Sequence, residues 1–170
     1  MTVTFYIAAT VAVLATLMVI TRVNLVHALL YLVVSLLAVA LIFLLLGAPF
    51  VAALEIIIYA GAIMVLFVFV VMMLNLGPAA LEQECRWMTP GMWVGPSVLS
   101  LILLGELAYL LFMQQGAPPQ PGAMPAIGPK PVAVVLFGPY VIGVELASVL
   151  LLPGLIGAYH LGRRSQHEDR

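Results

Sequence analysis

The sequence predicts an all-α integral membrane protein with five transmembrane helices, a periplasmic N-terminus and a cytoplasmic C-terminus. Of its 170 residues, 65% are hydrophobic and only 8% are charged, and the mean hydropathy is +1.23. A soluble domain carries about a quarter charged residues, so this chain has too few polar side chains to face water on all sides. We therefore expect a single membrane domain covering residues 1–170.

The spans follow from length and from turn residues, since about 20 apolar residues are needed to cross a bilayer. We predict helices over approximately 3–21, 27–47, 51–75, 93–113 and 139–161. The short Gly47-Ala48-Pro49 segment makes the second and third helices antiparallel neighbours. Six prolines and three glycines fall between residues 114 and 131, which predicts an irregular crossing there.

Basic residues set the predicted orientation, because cytoplasmic loops carry the excess of Lys and Arg. An outside N-terminus leaves only Lys130 outside. The residues it brings to the cytoplasmic side are Arg22, Arg86, Arg163, Arg164 and Arg170. A net charge of −1 without a basic patch argues against nucleic-acid binding. The single cysteine, Cys85, excludes a disulfide within the chain.

Three carboxylates, Glu55, Glu106 and Glu145, fall inside predicted spans, whereas no Lys or Arg does. The chain therefore cannot form an ion pair at depth. Each glutamate must be protonated, hydrated or matched by a group on another polypeptide.

Glu55 and Tyr59 are the most informative pair. They lie at i and i+4, so both project from one helix face, and the small residues Ala60-Gly61-Ala62 follow directly. An ionisable side chain in hydrocarbon is costly and usually functional. The pair indicates either a proton or water path or a polar contact to a neighbouring helix.

The other polar groups within the spans allow weaker predictions. Glu145 has Ser148 at i+3, which suits an interhelical hydrogen bond as well as proton transfer, and Glu106 has no small patch beside it, so we assign it no role. His27 and His160 are interpreted as anchors at the membrane surface. We find no phosphate loop, nucleophile–base arrangement or metal-ligand cluster, so we predict no catalytic centre and no cofactor in this chain.

Several motifs resemble one known family. The run Ala53-Leu-Glu55-Ile-Ile-Ile-Tyr59-Ala-Gly61-Ala-Ile-Met64-Val-Leu-Phe67-Val-Phe resembles the third-helix signature of the J subunit of proton-pumping NADH:quinone oxidoreductase, respiratory complex I. The mitochondrial counterpart is NADH dehydrogenase subunit 6. Further matches are Asn24-Leu-Val-His27-Ala-Leu-Leu-Tyr31, Leu136-Phe-Gly138-Pro139-Tyr140 and Val144-Glu145-Leu-Ala-Ser148. The resemblance covers essentially the entire chain.

The resemblance implies five transmembrane helices and a position in the membrane arm of a multisubunit complex in the bacterial inner membrane. The implied partners are the quinone-binding, small and antiporter-like subunits, besides the lipid bilayer. NADH, FMN, iron–sulfur clusters and quinone would belong to partner subunits. This chain would help couple electron transport and quinone reduction to proton translocation.

The resemblance also implies a switch in the third helix, where a π-bulge can form near Tyr59 to Phe67 and open a hydrated path. The implied switch residues are Tyr59, Ala60, Gly61, Ala62, Ile63, Met64 and Phe67. The implied proton path contains Glu55, Tyr59 and Glu145. Two alternatives stay open: the equivalent subunit of a related cation/proton antiporter or membrane-bound hydrogenase, and a purely structural spacer.

Overall fold

The described part of the chain is almost entirely helical. The computed structural model describes residues 2–73, 90–114 and 126–162, and within these ranges no residue is in a strand. The helices long and apolar enough to cross a membrane are Thr2–Thr21, Leu25–Leu45, Pro49–Val71, Val94–Phe112 and Val141–Gly162. The prediction of an all-α protein with five spans is confirmed.

Some predicted features lie outside the described residues: the end of the third helix at 74–75, most of the crossing, and the side chains of Cys85, Arg86, Arg163, Arg164 and Arg170. The described part of the chain forms two compact units. Unit 1 contains α1 (Thr2–Thr21), α2 (Leu25–Leu45), α3 (Pro49–Leu54), a π-helical segment (Glu55–Ile63), α4 (Met64–Met73), a 3-10 turn (Pro90–Trp93) and α5 (Val94–Gln114). Unit 2 contains α6 (Pro129–Phe137) and α7 (Val141–Gly162). One membrane domain over 1–170 stays a prediction.

Local signals fix both ends of α2. The Asn24 side chain accepts a hydrogen bond from the His27 backbone N–H at 3.1 Å and caps the helix. At the other end Gly47 has φ +79°, a backbone conformation that residues with a Cβ rarely adopt. Pro49 then opens α3 at a position where no backbone N–H is needed. This tight turn brings the third span back along α2.

The core of unit 1 lies where α1, α2 and α5 pack together. Ala8, Ala15 and Ala38 have no exposed surface, so the helix backbones approach closely. Thr16 Oγ1 and Ser35 Oγ are 2.8 Å apart and join α1 to α2. Small residues and interhelical hydrogen bonds are what stabilise helix pairs in lipid, where apolar burial favours neither state.

One boundary prediction is wrong. Residues 129–131 were expected to belong to the irregular crossing, but α6 begins at Pro129. Pro129 and Pro131 fall in the first turn of α6, where backbone N–H groups have no intrahelical acceptor and proline is tolerated. Residues 126–128 are non-helical, and the Ile127 N–H donates to the Gly47 carbonyl at 2.9 Å.

Unit 2 is a short helix and a long one joined by a turn over residues 138–140. Helix α7 continues through Pro153, and none of its residues is buried.

A tight contact between α2 and α5 gives a test of this packing. A Cβ added to Gly95 would overlap the Tyr31 hydroxyl, and Tyr31 is only 3% exposed. We expect Gly95→Ala to destabilise the protein by about 1–3 kcal/mol, as overpacking does. Thermal unfolding of the detergent-purified protein measures the effect.

The matched control is Gly105→Ala on the same helix, where an added Cβ meets nothing within 4 Å. Combining Gly95→Ala with Tyr31→Phe should recover part of the loss, because the overlapped hydroxyl is removed while the ring carbon Cζ stays 3.1 Å from the added Cβ. Equal stability of Gly95→Ala and Gly105→Ala would contradict the packing described here.

Candidate functional site

The third span changes its hydrogen-bond register partway across. The Glu55 N–H donates to the carbonyls of Val51 and Ala52, as in an ordinary helix end. From Glu55 to Ile63 the backbone is π-helical, so each turn holds an extra residue. The Met64 N–H donates to the carbonyls of Gly61 and Tyr59, and Tyr59 lies five residues earlier. The third span therefore begins as an α-helix, continues through the π segment and becomes α-helical again in α4.

The π segment begins earlier than the family resemblance implied. It covers Glu55–Ile63, whereas the resemblance pointed to the stretch from Tyr59 to Phe67. It includes Glu55, Tyr59 and the small patch, while Met64 and Phe67 lie beyond it in α4. The carboxylate and the phenol thus share one irregular segment.

Gly61 suits the π geometry for a steric reason. A Cβ at this position would lie 3.2 Å from the Ile56 carbonyl oxygen, five residues earlier. That oxygen stands where an i→i+5 hydrogen bond needs it, so a side chain at position 61 would crowd the π segment. Glycine avoids the contact.

Glu55 and Tyr59 are not enclosed by their own chain. Glu55 is half-buried, the Tyr59 side chain is 49% exposed, and no residue of the π segment is buried. Neither side chain hydrogen-bonds to another of the residues described. A carboxylate and a phenol in this position are available to water or to a neighbouring subunit.

The residue after the π segment is held firmly. Met64 is only 3% exposed, whereas Phe67, three residues further on, is 49% exposed. Helix contacts in a membrane are stabilised by side-chain packing, so rotation of α4 would break the packing contacts of Met64. A change of register in the π segment must repack Met64.

An apolar cleft of about 370 Å³ lies within unit 1 between α2, α3 and α5, next to the start of the π segment. Ile56 belongs both to its wall and to the π segment. The other lining residues are Leu37, Ala40, Leu41, Leu44, Pro49, Ala52, Ala53, Ser100, Leu103, Leu104 and Leu107. The cleft gives side chains of the third span room to move.

Glu145 lies in unit 2, on the first half of α7, and is exposed. Its predicted neighbour Ser148 donates to the Val144 carbonyl of its own helix at 3.0 Å. The Ser148 hydroxyl therefore bonds to its own helix backbone and not to Glu145. An interhelical hydrogen bond or proton transfer at Glu145 stays a prediction.

Sequence reasoning underrated two buried groups. His27, interpreted as a surface anchor, is only 5% exposed and packs on Tyr31 with ring centroids 4.9 Å apart. Tyr31 at i+4 was the available signal, since residues at that spacing share a helix face. Glu106 is 9% exposed, and its apolar neighbours at i−3 and i+4 pointed to an inward face. Across residues 2–73, 90–114 and 126–162, no three His, Cys, Asp or Glu residues group as metal ligands.

Comparison with known proteins identifies the family. The model of NADH-ubiquinone/plastoquinone oxidoreductase chain 6 matches residues 15–161. NADH-quinone oxidoreductase subunit J of Pseudomonas aeruginosa is 62% identical over 161 residues, covering 94% of this chain and 95% of that protein. The subunits J of Escherichia coli K12 and Rhodobacter capsulatus are 56% and 40% identical, covering 95% and 94% of this chain and 86% and 80% of those proteins. The chain therefore belongs to the NADH-ubiquinone/plastoquinone oxidoreductase chain 6 family, which includes subunit J of bacterial NADH-quinone oxidoreductases.

Proposed function

We propose that this chain is a non-redox membrane-arm subunit of a proton-translocating NADH:quinone oxidoreductase in the bacterial inner membrane. Its role is to couple quinone reduction to proton movement through the π segment. The observation that carries the proposal is a π-helical stretch within a membrane span that contains a carboxylate, Glu55, and a phenol, Tyr59. NADH oxidation and electron transfer, with FMN, iron–sulfur clusters and quinone, are assigned to partner subunits.

The conformational step is a change between π and α register. In the α form the Met64 N–H would donate to the Ala60 carbonyl in place of Tyr59, and the helix beyond would turn by about one residue. That rotation would move Met64 and Phe67 relative to Tyr59. Every backbone N–H of the segment can find a carbonyl in either register. This pairing is required in hydrocarbon, where no water can replace a missing hydrogen bond.

The chemistry belongs to the two polar side chains. Glu55 exchanges protons, and the Tyr59 hydroxyl donates a hydrogen bond to the carboxylate or to a water beside it. Rotation of the segment connects or interrupts the water chain at Tyr59. Glu145 is a further member of the proton path, acting through water or a partner subunit.

The exposed surfaces support contact with other subunits. The π segment and α7 have no buried residues, and both carry a carboxylate. A carboxylate left against lipid is costly, so partner subunits or water in the assembled complex would cover these faces. Quinone-binding, small and antiporter-like subunits are the partners proposed. The same module in a cation/proton antiporter or hydrogenase would have similar faces, and NADH oxidation by the purified complex distinguishes these cases.

Replacing the carboxyl group tests its proton-carrying role. We expect Glu55→Gln to lower NADH-driven proton pumping, because an amide side chain does not take up or release a proton near neutral pH. Acidification of inside-out membrane vesicles, measured with a quenched amine dye, reports the change. Glu55→Asp is the matched control and should keep most of the pumping. Normal pumping and turnover in an assembled Glu55→Gln complex would leave the chain as a structural spacer.

Crowding the π form tests the switch. Gly61→Ala should raise the free energy of the π form by about 1 kcal/mol through contact with the Ile56 carbonyl. The π population should then fall by about fivefold relative to the α form. Density maps of the assembled variant measure the register, and NADH:quinone turnover should fall with it.

Gly105→Ala serves as the control for adding one methyl group to a membrane helix of this chain, since that position is open. An unchanged π segment in Gly61→Ala, with unchanged turnover, would argue against the switch.

Orientation is tested at the two ends of α2. Val23 is 80% exposed before α2, and Leu46 is 64% exposed after it. In a Cys85→Ser background, a membrane-impermeant maleimide should label Val23→Cys in inside-out vesicles and Leu46→Cys in right-side-out spheroplasts. Detergent-opened membranes give the total labelling for each. The opposite pattern would place the N-terminus in the cytoplasm.

A further inference from the structure

Glu106 lies inside unit 1 and not in the third span. Leu103 and Leu110, three residues before it and four after, belong to the core formed with α1 and α2. The three side chains therefore share the inward face of α5. Glu106 is 9% exposed, and neither carboxyl oxygen has a hydrogen-bonding partner among the described residues.

No positive charge faces this carboxyl group from the elements packed against α5. Helix α1 carries only Tyr6 as a titratable group, and that side chain is 65% exposed. Helix α2 carries His27 and Tyr31, and α5 itself carries Tyr109, which is 54% exposed. A buried carboxylate without a cation or donors is strongly disfavoured, so Glu106 holds its proton.

A row of polar side chains leads into the same bundle from the N-terminal end of α2. His27, Tyr31 and Ser35 recur every four residues, and all three are buried; they form what we call the polar row. Ser35 is hydrogen-bonded to Thr16 of α1. The Arg22 guanidinium carbon lies 5.7 Å from the Tyr31 ring centroid. The polar row thus begins near a charged residue at the helix end.

The polar row and Glu106 lie at successive levels of the same helix bundle. The Tyr31 hydroxyl lies beside Gly95, and Glu106 follows eleven residues later, roughly 16 Å along α5. Ser35 lies four residues beyond Tyr31, roughly 6 Å along α2. Because helical side chains lean toward the N-terminus, the carboxyl group reaches back toward Ser35.

His27, at the start of the polar row, and Glu106 both have buried polar atoms without a hydrogen-bonding partner among the described residues. These atoms are the two ring nitrogens of His27 and the two carboxyl oxygens of Glu106. Buried polar atoms of this kind normally bind ordered water.

We propose that Glu106 is a second proton-binding site of this chain, a neutral carboxylic acid in the α1–α2–α5 bundle that exchanges its proton with water entering along the polar row. The site is separate from Glu55 and Tyr59 and does not depend on a register change in the π segment. Its ligand is the proton, delivered by water.

Infrared spectroscopy of the assembled complex tests the site directly. Subtracting the spectrum of Glu106→Gln from that of the wild type should leave the C=O stretch of a protonated carboxylic acid. Transfer to D2O should shift this band to lower frequency. If the amide variant does not assemble, Glu106→Asp serves instead, since it displaces the band rather than removing it.

The entry route is tested by the rate of that shift. Ser35→Ala should slow H/D exchange severalfold, whereas Thr10→Ala, which removes an exposed hydroxyl on α1, should leave it unchanged. Carboxylate bands in place of the acid band would overturn the proposal, and so would an acid band that never shifts in D2O. An equal exchange rate in Ser35→Ala would overturn the route. None of these readouts uses turnover, so failure of the π switch leaves them unaffected.

Discussion

The structure depends on the need to satisfy every backbone hydrogen bond inside hydrocarbon. Water is absent from the bilayer core, so an interrupted helix would leave N–H and C=O groups unpaired at a cost of several kcal/mol each. A π segment is one of the few irregularities that keeps these groups paired, because it only moves each N–H to a carbonyl one residue earlier. The stretch Glu55–Ile63 is of this kind. The third span can therefore contain this irregularity where a break would be excluded.

Packing decides where that freedom is allowed. Helices α1, α2 and α5 form a close bundle with fully buried alanines and an interhelical hydrogen bond. The π segment lies against α2 and has no buried residue of its own. Immediately after it, Met64 is buried. The π segment therefore lies between a closely packed bundle and a packed side chain, which is the setting of the proposed change of register.

Carboxylates without counter-charges occur in two environments in this chain. Glu55 is half-buried and Glu145 is exposed, so neither carboxylate is enclosed by its own unit. Glu106 is only 9% exposed, and its carboxyl oxygens have no hydrogen-bonding partner among the described residues of its unit. The carboxylates of this chain therefore differ in how far their own unit encloses them.

Much of the fold could be predicted from residues alone. Apolar length determined the five spans, and Gly47 and Pro49 determined the turn, because backbone geometry at such residues is local. The spacing of Glu55, Tyr59 and Gly61 pointed to the stretch that is π-helical in the structure. The tertiary structure alone decided that α6 starts at Pro129 and that the π segment begins at Glu55. It also decided the burial of His27 and Glu106, because helix spacing indicated a shared apolar face but not which helix covers it. Those outcomes depend on which helix faces meet and on competition between nearly equal hydrogen-bond registers, and neither is encoded in the spacing of residues along one helix.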